Sequence, residues 1–423
     1  MACTTFVPLA CVGLFLGGLA ALIVAAGPLN PPAGAVASTY KTLTEVEPRI
    51  AINATNTPGT ASATFRINAP GSYYLTGNTA GAFNKHGIEV SADNVTIDLC
   101  GFNLSGGGGT SDGIATSSGS SANPANVVIL NGTVSGWAGD GIDLSTVFSP
   151  SCRIQGVHAT GNGGVGIKTG NGYMLERCSA RVNGGGGINV GNQGILKLCE
   201  TLSNSTAGTV AGQGSNISDC FSGFNLGAVD AMRTGGLCTV TNCTINSSQG
   251  NGLVTGSVST ITGCTINGAN LAGITAGNGS TISHCSVNFA QTFNIIAATG
   301  CTVSDCTVQF ANQGGIQVSQ QCVVRNNLCS QNANGSGTGP NILATGADNR
   351  IEGNNCTSAG RGIKVDAAGN FLSRNTCSGN SSNYELVAGN VALIVSGATS
   401  GAILGSSGGV APGSTDPNAN FSY

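Results

Sequence analysis

Residues 300–318 read GCTVSDCTVQFANQGGIQV, with Cys306 three positions after the aliphatic Val303. The phrase recurs at 280–289 as STISHCSVNF, with Ile282 and Cys285, and again at 259–269 as STITGCTINGA, with Ile261 and Cys264. Working outward, the aliphatic column runs Ile97, Ile129, Ile154, Leu175, Leu196, Ile217, Val240, Ile261, Ile282, Val303, Val324, Ile351, Leu372 and Leu393. From Ile154 to Val324 the spacing is constant except for one step, Ile217 to Val240, that is longer by two. A second column, Gly followed by an aliphatic residue, stays in phase from Gly87-Ile88, Gly113-Ile114 and Gly141-Ile142 to Gly362-Ile363. A fixed period of this size is the mark of a repeat architecture.

Within one repeat the apolar residues alternate over runs of three to four, rich in Val, Ile and Thr and punctuated by Gly, Asn and Ser. Such runs are strands, and no segment of the body sustains a helical period. Three short strands per repeat, over about 14 repeats, predict an all-β parallel β-helix whose coils stack at about 4.8 Å. Each strand then finds its partners one repeat away, and like residues form ladders.

Composition limits what such a chain can do. Charged residues make up only 8% and aromatics 5%, against 68 Gly, and the net charge is −3. That leaves no electrostatic footprint for nucleic acid. The run Gly106–Gly109 lacks the Lys and the strand–helix context of a phosphate loop. From Phe6 to Ala26 the chain is apolar and uncharged, which suits a signal peptide over 1–26 cleaved near Gly27, with Ala35-Val36-Ala37 as a second candidate site. The first charge is only at Lys41 and the run is long enough to span a bilayer, so an uncleaved anchor is the other reading. Both place the body in export, secreted or at a bacterial cell surface.

The repeat resembles the right-handed parallel β-helix family, the pectate-lyase-like superfold, over roughly residues 83 to 396. The layout looks like secreted bacterial β-helix proteins of unassigned activity. Residues 27–82 look like an N-terminal cap, needed to blunt an open strand edge, and the Gly/Ser-rich tail 397–423 like a loose return.

Cysteines hold the beat at 178, 199, 220, 243, 264, 285 and 306. Asn327, Asn354 and Asn375 then take it, while Cys329, Cys356 and Cys377 stand two positions on. A shift of two along a strand keeps the same face, so these thiols point inward. A metal array lacks CxxC pairs and alternating histidines. Disulfides between in-register side chains suit the required dihedral poorly, although Cys238/Cys243 and Cys301/Cys306 could bridge across a bend. An inward thiol is also a poor nucleophile, because burial raises its pKa. The expectation is free thiols serving as small buried hydrophobes, with the asparagines stacked in an amide ladder.

Function then belongs to outward positions. The residue before each Gly reads His86, Asp112, Asp140, Val165, and the exposed position of the following strand reads Glu89, Ala115, Asp143, Lys168. Six ionisable residues thus share one face of four coils, with Trp137, the only tryptophan, just upstream and long loops at 117–126 and 145–151. The resemblance implies that this strand and its leading loop form a groove for polysaccharide. Asp140–Asp143, DGID, resembles part of a polygalacturonase signature, although an adjacent Asp pair, Gly-His-Gly and Arg-Ile-Lys are absent. Paired carboxylates serve glycoside cleavage, while a uronate lyase would use a base with Lys168 or bound calcium. Otherwise no cofactor or metal is implied. Trp137 could stack on a sugar. Equally, Asp-Gly is what a turn of this repeat would write. The leading expectation is an exported polysaccharide-binding or structural β-helix. The alternatives are a hydrolase or lyase using Asp112, Asp140, Asp143, Lys168, His86 and Glu89, and self-association through coil ends. Arg177, Asp219, His284, Asp305 and Arg374 share one bend position and read as a solvated edge.

Overall fold

The computed structural model describes residues 47–109, 111–116, 124–146, 152–227, 229–333, 337–396, 404–405 and 416–423. Two units are distinguished, 1–48 and 49–423. Only Glu47 and Pro48 of the first are described, so the apolar stretch 1–26 lies outside the described residues. So do most of the loops 117–126 and 145–151 and much of the tail. Among the described residues no helix is long and apolar enough to cross a membrane.

The second unit is a parallel β-helix built from a 31-stranded and a 15-stranded sheet. One repeat shows the plan: strands Met174–Glu176 and Ser179–Arg181 belong to the first sheet, and Ile188–Val190 to the second. The aliphatic column stacks in register, Leu175 on Leu196, then Ile217, Val240, Ile261, Ile282, Val303 and Val324. All of these side chains are buried. In each strand the neighbours of the buried residue face outward, as the alternation of a strand requires.

The coils begin earlier than the sequence suggested. Ala63–Ile67 pairs in parallel with His86–Val90, and Ile50–Ala51 with Gly71–Tyr74. Strands between Ile50 and Ala80 thus stack on the coils that follow, and the second sheet has 15 strands where about 14 coils were expected. Buried Ala63 and Ile67 supply the apolar alternation there without a cysteine. At the other end Asn420–Ser422 returns to pair in parallel with Thr376–Ser378 and Ile394–Ser396.

The bend between the two first-sheet strands is a single residue in the left-handed region: Arg177 at φ 52°, Leu198 at 55°, Asp219 at 55°, Asn242 at 52°, His284 at 55° and Asp305 at 57°. A buried backbone carbonyl beside such a kink has room for a second, side-chain donor. The residue just after the bend provides it. Cys264 Sγ lies 3.7 Å from Val240 O of the coil before and 3.5 Å from Thr262 O. Asn327 Nδ2 donates to the equivalent carbonyl, Val303 O, at 3.1 Å. Cysteine and asparagine on this beat therefore do one job, a weak thiol donor in one stretch of coils and a strong amide donor in the next. The asparagines also bond to one another: Asn327 Nδ2 to Asn354 Oδ1 at 2.9 Å, Asn354 to Asn375 at 2.9 Å, and Asn375 to Asn420 at 2.8 Å. All fifteen described cysteines are free, and all but half-buried Cys100 are buried. Burial pushes the Cys356 thiol well above its ordinary pKa.

Candidate functional site

Strands His86–Val90, Ile114–Thr116, Ile142–Leu144 and Ile167–Thr169 are consecutive members of the second sheet. Their register puts Glu89 beside Ala115, Ala115 beside Asp143, and Asp143 beside Lys168. His86, Asp112 and Asp140 stand at the entries to these strands. They form a ladder of their own, in which each accepts the backbone N–H of the equivalent residue one coil on. The Asp112 N–H reaches His86 Nδ1 at 3.1 Å, the Asp140 N–H reaches Asp112 Oδ1 at 2.6 Å, and the Val165 N–H reaches Asp140 Oδ1 at 2.6 Å. His86 Nδ1 is thus an acceptor, so the neutral ring carries its proton on Nε2.

The second oxygens are what remain for chemistry. Asp112 Oδ2 lies 3.4 Å from His86 Nδ1, Asp140 Oδ2 lies 3.5 Å from Lys168 Nζ, and Asp143 Oδ2 lies 2.9 Å from it. Burial pushes the Asp112 carboxyl above its ordinary pKa, and the charges of Asp140 and Asp143 push the same way. Burial opposes ionisation of Asp143 too, but hydrogen bonds from Ser145 and Lys168 outweigh it and hold that carboxyl below its ordinary value. The bond to Asp143 raises Lys168. The face therefore carries one carboxyl biased towards holding a proton and, one coil away, one held ionised. A resident calcium ion does not fit here, because the Lys168 ammonium already occupies the approach to Asp140 and Asp143.

The ion pair makes a pH prediction. The stabilisation from Asp143 is present above the ordinary carboxylate pKa of about 4 and is lost as pH falls through the lowered folded value. The share from Lys168 is present below about 10.4 and is lost as pH rises through its raised value. Lys168→Met is expected to lower the melting temperature modestly at neutral pH, since a pair this exposed contributes about 0–1 kcal/mol. The deficit should vanish in strong acid; equal deficits at pH 7 and pH 2 would contradict the pairing.

Two residues expected to be open to a ligand here are buried. Glu89 is 4% exposed and turned into a local network, accepting from Ser62 Oγ at 2.8 Å with Arg66 Nε at 3.7 Å. Trp137 is 2% exposed, and its indole N–H donates to Leu104 O at 3.1 Å. It cannot stack on a sugar. Its ring fills the space left by the Gly column: a Cβ on Gly81 would stand 2.1 Å from the ring, and one on Gly87 2.8 Å. At Gly87 and Gly113 the indole adds to a closer constraint shared along the Gly column, the backbone carbonyl of the next coil 2.5 Å from any added Cβ.

Two further polar groups on the same sheet were missed. Arg233 lies in the outward ladder, in register between Val210 and Val254, and Asp230 stands at its strand entry, as Asp112 and Asp140 do at theirs. The phrase DAMR hid them, because Ala231-Met232 replaces the Gly-Ile signature, although the step from Ile217 to Val240 is the one lengthened step between Ile154 and Val324. At the C-terminal coils Arg361, Lys364, Asp366 and Glu385 pair among themselves.

Residues 227–341 match the family model described as the right handed beta helix region. No curated protein matches the chain. Among solved structures, the A-module of the mannuronan C-5 epimerase AlgE4 of Azotobacter vinelandii is similar at 14% identity, covering 76% of this chain and 91% of that one, with a TM-score of 0.41. A mutant of the periplasmic alginate epimerase AlgG is similar at 11%, covering 78% and 85%, with a TM-score of 0.42. Tailspike protein 3 of bacteriophage CBA120 is similar at 12%, covering 89% and 67%, with a TM-score of 0.42.

Proposed function

We propose that this right-handed parallel β-helix binds polysaccharide along the outward face of its second sheet, as a protein exported by its apolar N-terminal stretch. The observation that carries the reading is the gathering of His86, Asp112, Asp140, Asp143 and Lys168 on one half-exposed face, in a chain whose charged residues are only 8%. Each coil offers one set of outward groups at a repeat of about 4.8 Å, a periodic register suited to a polymer of repeating units. Asp112 and Asp140 spend one oxygen each on the backbone ladder, and the second oxygens lie beside His86 and Lys168, so a ligand would meet these polar pairs rather than free carboxylates.

A catalytic reading is favoured by one specific feature, the opposite displacement of the Asp112 and Asp143 pKa values. Carboxyls pushed apart in this way suit a general acid and a base, with Asp112 as acid and Asp140 or Asp143 as base in glycoside cleavage. The test is binding and reducing-end release measured together on a panel of acidic and neutral polysaccharides. Asp140→Asn and Asp112→Asn are suitable variants because the amide oxygen still accepts the ladder N–H. Binding without release supports the binder, and release abolished by Asp112→Asn makes the face an active site. Absence of binding to every polymer overturns both.

A further inference from the structure

We propose that Arg233 recognises a sugar carboxylate, so that the glycan held on the second-sheet face is an acidic polymer of carboxylated units. This rests on the polysaccharide-binding reading of that face. Going outward along the ladder, Asn189, Val210, Arg233, Val254 and Thr275 stand in register on successive coils. A cation between two valines gains nothing from its ladder neighbours. It is held instead from within its own coil: Arg233 Nε donates to Asp230 Oδ2 at 3.0 Å. Asp230 is buried, at 6% exposure, and its other oxygen accepts from Asn251 Nδ2 at 2.7 Å. The buried carboxylate is therefore fully engaged in placing the guanidinium. The Arg233 side chain is 63% exposed, and among the described residues its terminal Nη groups make no hydrogen bond.

Around it lies a shallow pocket of about 270 Å³, lined by Ala207, Val210, Val229, Asp230 and Arg233. That is just under the range of whole ligand pockets, about 300–1,000 Å³, and is suited to a single sugar-sized group. The repeat itself is altered to make it. Leu202 stands opposite Gly223 at the regular spacing, whereas Thr209 stands opposite Met232 at a spacing longer by two. The two extra residues of this coil thus fall between Gly223 and Met232, in the segment that brings Val229 and Asp230 to the pocket. A repeat that keeps time from Ile154 to Val324 departs from it only where this arginine is set.

The chemistry selects the ligand. Two parallel N–H donors on a planar fork match the two oxygens of a carboxylate. The apolar walls formed by Ala207, Val210 and Val229 suit the C–H face of a sugar ring. A neutral or esterified unit leaves the fork unmatched.

The experiment measures binding of polygalacturonate, its methyl ester and dextran sulfate to the full chain and to Arg233→Gln and Arg233→Lys. The wild type is expected to prefer the free acid over the ester by 10-fold or more. Arg233→Gln should bring that ratio close to one without weakening the ester, and Arg233→Lys should recover only part of it. An unchanged ratio in a folded Arg233→Gln, or no preference in the wild type, overturns the assignment. Equal affinity for dextran sulfate would show recognition of charge rather than of carboxylate and overturns it too. If ester and acid bind alike, only the role of Arg233 fails; if no polymer binds, the underlying reading fails with it.

Discussion

Replacing Asn354 by Ala is expected to lower the unfolding free energy by about 3–5 kcal/mol, on the basis of about 1–3 kcal/mol for the buried Asn327 N–H left without a partner and about 1 kcal/mol for each further hydrogen bond lost. Asn354 Oδ1 accepts the Asn327 N–H at 3.0 Å and Asn327 Nδ2 at 2.9 Å, while its own Nδ2 donates to Val324 O at 2.9 Å and Asn375 Oδ1 at 2.9 Å. Truncation strips a partner from each of these at once, inside a site that is 1% exposed. Since each coil touches only its neighbours, the damage should be greatest in the coils on either side. Hydrogen exchange should therefore show protection lost from about residue 320 onward before the central coils respond. Asn354→Cys is the sharper variant, because the thiol restores a donor for Val324 O as the cysteines do elsewhere. It should cost clearly less than Asn354→Ala in urea unfolding. Equal costs would mean that the two residue types on this beat are not interchangeable after all.

Trp137→Ala is expected to be comparably damaging, by about 3–5 kcal/mol, the usual cost of emptying a buried tryptophan site. The loss has a second consequence, for the candidate site. The indole lies against Gly87 and Gly113, the residues that directly follow His86 and Asp112. A cavity there loosens the two strand entries that hold the first rungs of the ladder, so any glycan affinity of the N-terminal face should fall along with stability. As the only tryptophan of the chain, Trp137 also reports on these coils directly. Its emission should be that of a buried indole and should shift to the red in urea together with loss of the β signal. A red-shifted emission in the native protein would contradict the burial.

Much of this protein could be read from its order of residues. The constant period and the alternation within CTVSDCTV specify stacked strands, because a strand whose apolar residues recur at a fixed distance can bury them only against its own repeats. The inward direction of the cysteines followed from the same alternation, and the bend column of Arg177, Asp219 and His284 was recognisable as solvated. The gathering of His86, Asp112, Asp140, Asp143 and Lys168 on one face also followed from phase alone. Two positions did not. Glu89 is in phase with Asp143 yet buried, because Ser62 and Arg66 of an earlier coil close over it. Those residues lie in the N-terminal segment, outside the regular Gly-aliphatic phase. Trp137 lies in a connection, where no period says which way a side chain turns.

Periodicity, then, determined the fold, the columns and the face, since each depends only on how many residues separate equivalent positions. What the contacts between coils alone decided was the use of each polar group. Whether a cysteine is mere filling or a donor to a carbonyl beside the bend depends on the distance between groups on successive coils, as with Cys264 and Val240. Whether an aspartate serves the turn or a ligand depends on which of its oxygens the next coil already holds. Hydrogen bonds are short and directional, and their partners here come from neighbouring coils, so the period places them near one another and only the packed structure says which pairs form.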